Sequence, residues 1–376
     1  MSGGEIIMFI YYILPISWFL IYIFNRESSI KNYYGRGYKI EGSNSRRTVV
    51  LLSCIILFLI MGLRDTSVGT DTASYVREYM NYSSYRFSNI ALSLQSEAGY
   101  SILQWIFAKA GVPWQGFLFV VSVFVSCSLG RFIYNYSANS FWGFYLYFTI
   151  GMFTMNMTGV RQSIAVAILL FAYDFALEKK IVLFVLLCLL AASIHYTAIA
   201  FIPMIIVLLV PFRSKKQLII GLILPFFVRL FIGPVYHILS RFALRKYTFS
   251  GYFDSLNQSV NPLVEIVAFL ILIACFVCLY FIQGEINVRD YHMFIFTGIY
   301  VACIEMSHAV FMSMRLSFYF IFFMTCLLGN IVYSFKDKKS RGLVMMAMLF
   351  LPFLQFILTV PGSSYGIDPY VFFWSK

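Results

Sequence analysis

The chain has 376 residues, of which 61% are hydrophobic and 12% are charged. Soluble domains carry roughly 45–50% apolar and about 25% charged residues, so this composition excludes an ordinary soluble enzyme. The net charge of +12 is spread along the chain, and without a run of five or six like charges it does not indicate a nucleic-acid partner. We therefore expect a polytopic membrane protein whose basic residues gather in cytoplasmic loops.

Twelve apolar runs predict the membrane-crossing helices, since a bilayer core takes about 20 apolar residues per helix. In chain order they are 6–24, 48–63, 116–129, 140–157, 163–177, 181–194, 198–210, 218–239, 263–282, 293–309, 316–333 and 342–360. The first run lacks the preceding basic residues of a signal peptide and is interpreted as a membrane helix. All seven cysteines lie in apolar stretches, which predicts packing rather than disulfides or metal binding.

The stretch 181–210 is either one helix of about 45 Å or two short helices that turn at His195. A turn leaves nine lysines on the side of the 26–47 loop and three on the other, whereas an unbroken helix divides them six to six. Because cytoplasmic loops are rich in basic residues, the turn is favoured, which gives about twelve crossings and both termini outside. Residues 1–376 then form a single transmembrane domain with outward loops 64–115 and 240–262, and residues 100–110 predict an interfacial helix in the first loop.

The first polar patch, residues 62–72, follows the second apolar run at its outward end. It holds two carboxylates, four hydroxyl groups and two glycines, which favour a polar turn over a helix. Asp65 either pairs with Arg64 or shapes the turn. Asp71 lies farther from that arginine and is the better candidate for a general base.

Two further polar patches interrupt the apolar chain. Residues 155–163 place Arg161 at the start of a helix, where its guanidinium and the first backbone amides can bind one anion; a plain helix connection is the alternative. Residues 193–197 place His195 at the proposed turn. An ionisable residue in an apolar setting indicates a functional site, and the alternative is a neutral histidine bonded to a neighbouring helix.

The outward side is predicted to carry eight Arg against three Lys, a bias that fits recognition of a phosphate or carboxylate or snorkelling to lipid headgroups. Glu305, His308, Met312 and Arg315 are spaced to share one helical face, although the helix has to break near 312–315 to fit a bilayer. Glu305 and His308 resemble half of a di-metal ExxH pair without a second copy, so we expect no metal and no other cofactor.

Three of these motifs resemble the EpsG family, which includes Wzy-type O-antigen and exopolysaccharide polymerases. They are the turn 64–71, the sequence GVRQSIA at 159–165 and the sequence SIHYTA at 193–198. Residues 97–100 (EAGY) and 315–320 look like weaker members of the pattern. The resemblance implies an all-α, GT-C-like glycosyltransferase of the bacterial inner membrane. Such an enzyme joins undecaprenyl-pyrophosphate-linked oligosaccharide repeats on the periplasmic face and releases undecaprenyl pyrophosphate.

Our mechanistic hypothesis assigns Arg161 and Arg315 to the pyrophosphate, with Arg64 orienting its loop or sharing that contact. Asp71 or His195 accepts the proton of the attacking sugar hydroxyl, and Glu97 is the reserve base. The expected partners are the lipid-linked oligosaccharide, membrane lipids, and a chain-length regulator and flippase of the same pathway. An O-antigen ligase, a membrane acyltransferase and a lipid-linked oligosaccharide flippase are the alternatives. A transporter is expected to carry polar residues through the membrane depth, whereas here they cluster at the outward end.

Overall fold

The computed structural model describes residues 3–25, 44–87, 97–212, 214–242, 262–281, 286–308, 313–335, 337–359 and 365–375. Over these residues the predicted all-helical class is confirmed, and their β pairing is limited to an isolated antiparallel bridge between Arg64 and Phe372. Most of the second predicted loop, residues 243–261, lies outside the described part of the chain.

Helices account for most of the described residues. In chain order they are α1 (Gly3–Asn25), α2 (Asn44–Gly62), α3 (Thr72–Tyr82), α4 (Ala98–Lys109), α5 (Trp114–Tyr136), α6 (Ser140–Thr149), α7 (Met152–Thr158), α8 (Val160–Leu177), α9 (Ile181–Ile194), α10 (Ile205–Leu209), α11 (Leu218–Phe242), α12 (Pro262–Phe281), α13 (Val288–Met306), α14 (Met314–Ser317), α15 (Ile321–Ile331) and α16 (Lys338–Thr359). Short 3-10 helices cover Tyr196–Met204, Lys215–Gln217 and Val332–Ser334.

Five of the described helices are long and apolar enough to cross a bilayer, namely α2, α5, α8, α12 and α16. This supports a polytopic membrane protein, whereas the count of twelve crossings and the GT-C architecture stay predictions. The run 140–157 forms two helices instead of one. Gly151 separates them with a φ of +96°, a left-handed conformation that is strained for residues with a Cβ atom.

The chain divides into two compact units, each built around its own helix packing. Among the described residues, the first unit comprises those of 3–25, 44–205 and 337–375, and the second comprises those of 206–335. In the first unit α2 packs along α5 and α8 packs along α9. In the second unit α13 packs against α11, α12 and α15. All ten residues of α6 are buried, which fits its almost uniformly apolar and aromatic sequence.

The first outward loop contains two helices. Helix α4 covers 98–109 and confirms the predicted helix at 100–110. Helix α3 was not predicted, because the polar residues of 62–72 indicated only a turn. It buries Thr72, Tyr75 and Tyr79 on one face and packs against α4, so tertiary contacts stabilise this short helix.

The predicted break of the helix at His195 is confirmed. Helix α9 ends at Ile194, and His195 adopts an extended conformation with φ −145° and ψ 110° before the 3-10 helix begins. The face predicted for Glu305, His308, Met312 and Arg315 required one helix to continue past Glu305, but α13 ends at Met306 and Arg315 lies in α14. Residues 309–312 lie outside the described part of the chain.

The C-terminal segment, residues 365–375, covers the first polar patch. The Asp65 N–H donates to Val371 O at 2.8 Å, and the Gly69 N–H donates to Gly366 O at 2.8 Å. The Phe373 N–H donates to Leu63 O at 3.0 Å. These backbone hydrogen bonds fix the turn that the sequence predicted, with a partner more than 290 residues away that local patterns do not reveal.

Candidate active site

Glu97 joins two of the predicted motifs. It directly precedes α4, and its Oε1 lies 2.5 Å from Nδ1 of His195 while its Oε2 lies 2.5 Å from Nη1 of Arg161. The backbone N–H of Tyr196 also donates to Oε1, at 3.2 Å. The carboxylate predicted as a reserve base is therefore the centre of the cluster, which we call the Glu97 cluster (Glu97, Arg161 and His195).

The charge of Glu97 is stabilised by its partners. Burial raises its pKa, but the hydrogen bond and charge of His195 and the charge of Arg161 outweigh burial, so that the pKa lies below its ordinary value. An ionised carboxylate accepts hydrogen bonds and donates none. The Nδ1 atom of His195 must therefore carry the proton in this contact.

His195 presents its other ring nitrogen without a partner. The residue is 9% exposed, and Nε2 is buried with no hydrogen bond among the described residues. In the neutral tautomer that carries its proton on Nδ1, Nε2 holds the free lone pair. In a carboxylate–imidazole pair of this kind, the carboxylate fixes the tautomer of a general base.

Close contact between two helices positions the Glu97 cluster. A Cβ atom at Gly99 would lie 2.2 Å from Ser193 Oγ and 2.9 Å from Ser193 Cβ, so α4 meets the end of α9 at a distance that only glycine permits. Glu97 lies two residues before this contact, and His195 lies two residues after it. The contact thus brings their side chains within hydrogen-bonding distance.

Arg161 lies in the first turn of α8, next to two tyrosine rings. Its guanidinium carbon is 5.0 Å from the ring centroid of Tyr75 and 5.7 Å from that of Tyr100. Its Nε donates to Tyr75 Oη at 3.5 Å. The side chain is 33% exposed, and Nη2 makes no hydrogen bond to a described residue. The cation–π contacts restrict the guanidinium while leaving one edge open to an anion.

The sequence of this chain matches a known protein family. The EpsG family model matches residues 47–372, which is most of the chain. The chain belongs to the EpsG family. No curated protein and no solved structure matches it. EpsG is a family of Wzy-type polymerases, so family membership supports a membrane protein of polysaccharide synthesis.

In this EpsG-family chain Asp71 is separate from the Glu97 cluster. It directly precedes α3, and its backbone N–H donates to Thr158 Oγ1 at 3.2 Å. The Thr70 hydroxyl lies 2.8 Å from the same Thr158 oxygen. These bonds attach the first polar patch to the second. Asp71 is half-buried, and no hydrogen bond or ion pair joins its side chain to a described residue.

Arg64 is buried beneath the C-terminal segment. It is 1% exposed, its Nη1 donates to Met61 O, and its Nε and Nη2 have no partner among the described residues. Burial lowers its pKa to about 10, so it stays charged at neutral pH. Asp65 forms the predicted turn by accepting from the Ser67 N–H at 2.9 Å. Arg64 was predicted either to orient its loop or to share the pyrophosphate contact, and this buried placement favours the first role.

Arg315 belongs to the second unit, in the short helix α14, whereas the Glu97 cluster is built from the first unit.

Three residues that surround Arg161 were not predicted from the sequence, namely Glu78, Tyr75 and Tyr100. Burial raises the pKa of Glu78, the charge of Arg161 lowers it, and Glu97 raises it; the net shift is upward. The three-residue spacing of Tyr75 and Glu78 on α3 would have indicated this face if α3 had been predicted.

Proposed function

We propose that this chain is a Wzy-type glycosyltransferase that joins undecaprenyl-pyrophosphate-linked oligosaccharide repeats on the periplasmic face of the bacterial inner membrane. Membership of a polysaccharide polymerase family supports the reaction class. The observation that carries the proposal is the Glu97 carboxylate, which contacts an arginine and a histidine whose Nε2 has no hydrogen-bond partner among the described residues. One small cluster thus offers a base for the attacking hydroxyl and a cation for the leaving pyrophosphate.

In the proposed reaction His195 is the general base. The acceptor sugar hydroxyl attacks the anomeric carbon of the donor glycan, and its proton passes to Nε2 of His195. Glu97 holds Nδ1–H and stabilises the imidazolium that forms, because the ionised carboxylate lies 2.5 Å away. Asp71 stays the alternative base, because its carboxylate makes no hydrogen bond to a described residue and can accept a proton.

Arg161 is proposed to stabilise the leaving group. The bond between the anomeric carbon and the phosphate oxygen breaks as the new glycosidic bond forms, and negative charge develops on undecaprenyl pyrophosphate. Arg161 has a partly exposed guanidinium, and its position in the first turn of α8 adds backbone amides that attract an anion. Arg64 supports the loop from beneath, and the pyrophosphate contact predicted for Arg315 stays a prediction. The chain-length regulator and flippase partners likewise stay proposals.

The proposal is tested by polymerisation with purified components. Full-length protein in nanodiscs receives a defined undecaprenyl-pyrophosphate repeat unit, and the products are separated by length on a gel. Wild-type protein is expected to give a ladder, and Arg161→Ala is expected to abolish it. Arg131→Ala is the matched control, because Arg131 also pairs with a carboxylate and stacks on an aromatic ring in the same unit, in its case Asp174 and Phe171.

Other outcomes would reject the polymerase. Folded wild-type protein that gives no ladder but moves the same lipid across vesicles would indicate a flippase. Transfer of glycan onto a lipid A core acceptor, without a ladder, would indicate an O-antigen ligase. An undiminished ladder from Arg161→Ala would exclude the proposed role of the guanidinium even if the polymerase itself were correct.

A further inference from the structure

A second cluster of ionisable side chains lies in the second unit, where the start of α12 meets the end of α13. Glu265 lies in the first turn of α12, Glu305 in the last turn of α13, and His308 two residues beyond that helix. One nitrogen or oxygen atom from each side chain lies within 4.8 Å of the other two. Two carboxylates and an imidazole therefore converge on one point.

The buried carboxylate in this cluster is not satisfied. Glu305 is 2% exposed, and its Oε1 is buried with no hydrogen bond among the described residues. Its Oε2 lies 3.6 Å from Nε of Arg229, beyond hydrogen-bonding distance. Burying a charged oxygen without a partner is unfavourable, and a neighbouring carboxylate makes it more so. A cation or a proton at Glu305 Oε1 would remove this cost.

We propose that Glu265, Glu305 and His308 bind one divalent transition-metal cation. Carboxylate oxygens with one imidazole nitrogen are ligands that Mn²⁺, Co²⁺ and Zn²⁺ accept. Near Glu305 and His308 the sequence shows no third ligand. The structure supplies one from a different helix, namely Glu265. The cation links α12 to α13, and this binding does not depend on the polymerase reaction.

The distances suit such a cation. Metal–ligand bonds of about 2.1 Å separate neighbouring ligand atoms by roughly 3.0 Å in octahedral and roughly 3.4 Å in tetrahedral geometry. His308 Nε2 lies 3.0 Å from Glu265 Oε2. The widest separation, within 4.8 Å, closes with side-chain shifts below about 1 Å. His308 and Glu265 are 28% and 24% exposed, so water or an anion can occupy the remaining positions.

A network of ion pairs is the competing explanation. In that case Arg229 and a protonated His308 neutralise the two carboxylates, and no metal binds. The two explanations differ in the effect of Arg229→Gln. If a metal binds, removing the competing guanidinium frees Glu305 and raises the metal affinity. If ion pairs alone hold the cluster, the same substitution lowers the melting temperature and no metal binding is observed.

The test uses Mn²⁺ alone and the full-length protein in detergent after treatment with a chelator. Mn²⁺ prefers oxygen and nitrogen ligands, so the seven cysteines do not compete for it. The electron paramagnetic resonance signal of free Mn²⁺ is expected to fall with one equivalent bound per chain. Glu265→Gln and His308→Gln are each expected to weaken binding at least about tenfold. Glu178→Gln, an exposed acid paired with Lys180, is the control and retains wild-type binding.

A second measurement needs no variant. Ligand binding to the folded state raises stability, so the melting temperature of the wild-type protein is expected to rise with Mn²⁺ concentration. No saturable binding by the wild type, or an unchanged melting temperature at high Mn²⁺, would overturn the proposal. Wild-type affinity in folded His308→Gln protein would do the same.

Discussion

The substitution Glu97→Gln tests the proposed role of the carboxylate with almost no change in shape. Glu97 accepts from Nδ1 of His195 and the N–H of Tyr196 on one oxygen, and from Arg161 on the other. A glutamine has one acceptor and one donor group. Its oxygen must face the guanidinium, so its NH₂ group faces His195. Nδ1 then becomes the acceptor, and the ring proton moves to Nε2.

The expected effect is loss of turnover. With its proton on Nε2, His195 no longer accepts the proton of the attacking hydroxyl, and the imidazolium loses its counter-charge. Fixing the wrong tautomer in a comparable carboxylate–histidine pair lowers kcat by roughly 10⁴, which is about 5 kcal/mol of activation free energy. We therefore expect Glu97→Gln to lower kcat roughly 10³–10⁴-fold, with a smaller change in KM.

The assay is the initial rate of consumption of the lipid-linked repeat by purified protein, at several substrate concentrations. Glu78→Gln is the matched control, because Glu78 interacts with the charges of Arg161 and Glu97 but makes no hydrogen bond to His195. It is expected to retain activity within about tenfold. Glu97→Gln within tenfold of the wild type would refute the reasoning. A larger loss in Asp71→Asn than in His195→Gln would assign the base to Asp71.

Arg161→Lys is expected to lower kcat at least about 100-fold although the charge is kept, because the planar fork of donors is lost; near-normal polymer would contradict it. Gly99→Ala is expected to lower both the melting temperature and activity, since its Cβ would lie 2.2 Å from a side-chain oxygen, whereas Gly342→Ala has open space and serves as the control. Arg64→Leu is expected to change the melting temperature while folded protein keeps its KM for the lipid-linked repeat, and a raised KM would show a substrate contact. Because the folded-state pKa of Glu97 is lowered, its contribution to stability is present above the ordinary pKa of about 4.3 and is lost as the pH falls through the lowered value. A pH titration of the melting temperature of wild type and Glu97→Gln measures that difference, and parallel curves would contradict it.

Several elements of the fold follow from local patterns. Helix α9 begins and ends at the predicted residues, because the polar residues Lys180 and His195 directly flank its apolar run. The break at His195 follows from charge counting. The apolar run 140–157 was predicted as one helix but forms two. Hydrophobicity alone does not reveal that Gly151 breaks the helix or that α6 is buried inside the protein. Helix α3 was missed because its stability comes from packing against α4.

The sequence by itself determined the class of the protein, the EpsG resemblance, and the candidates Arg161, His195 and Glu97. These depend on composition and short motifs, which are local properties of the chain. Only the tertiary structure decided that Glu97 bonds to both other residues, that Arg64 lies beneath the C-terminal segment, and that Glu265 joins Glu305 and His308. Each of these facts depends on a distance between residues far apart in sequence, and such a distance is set by how the helices pack rather than by the residues that surround each side chain in the chain.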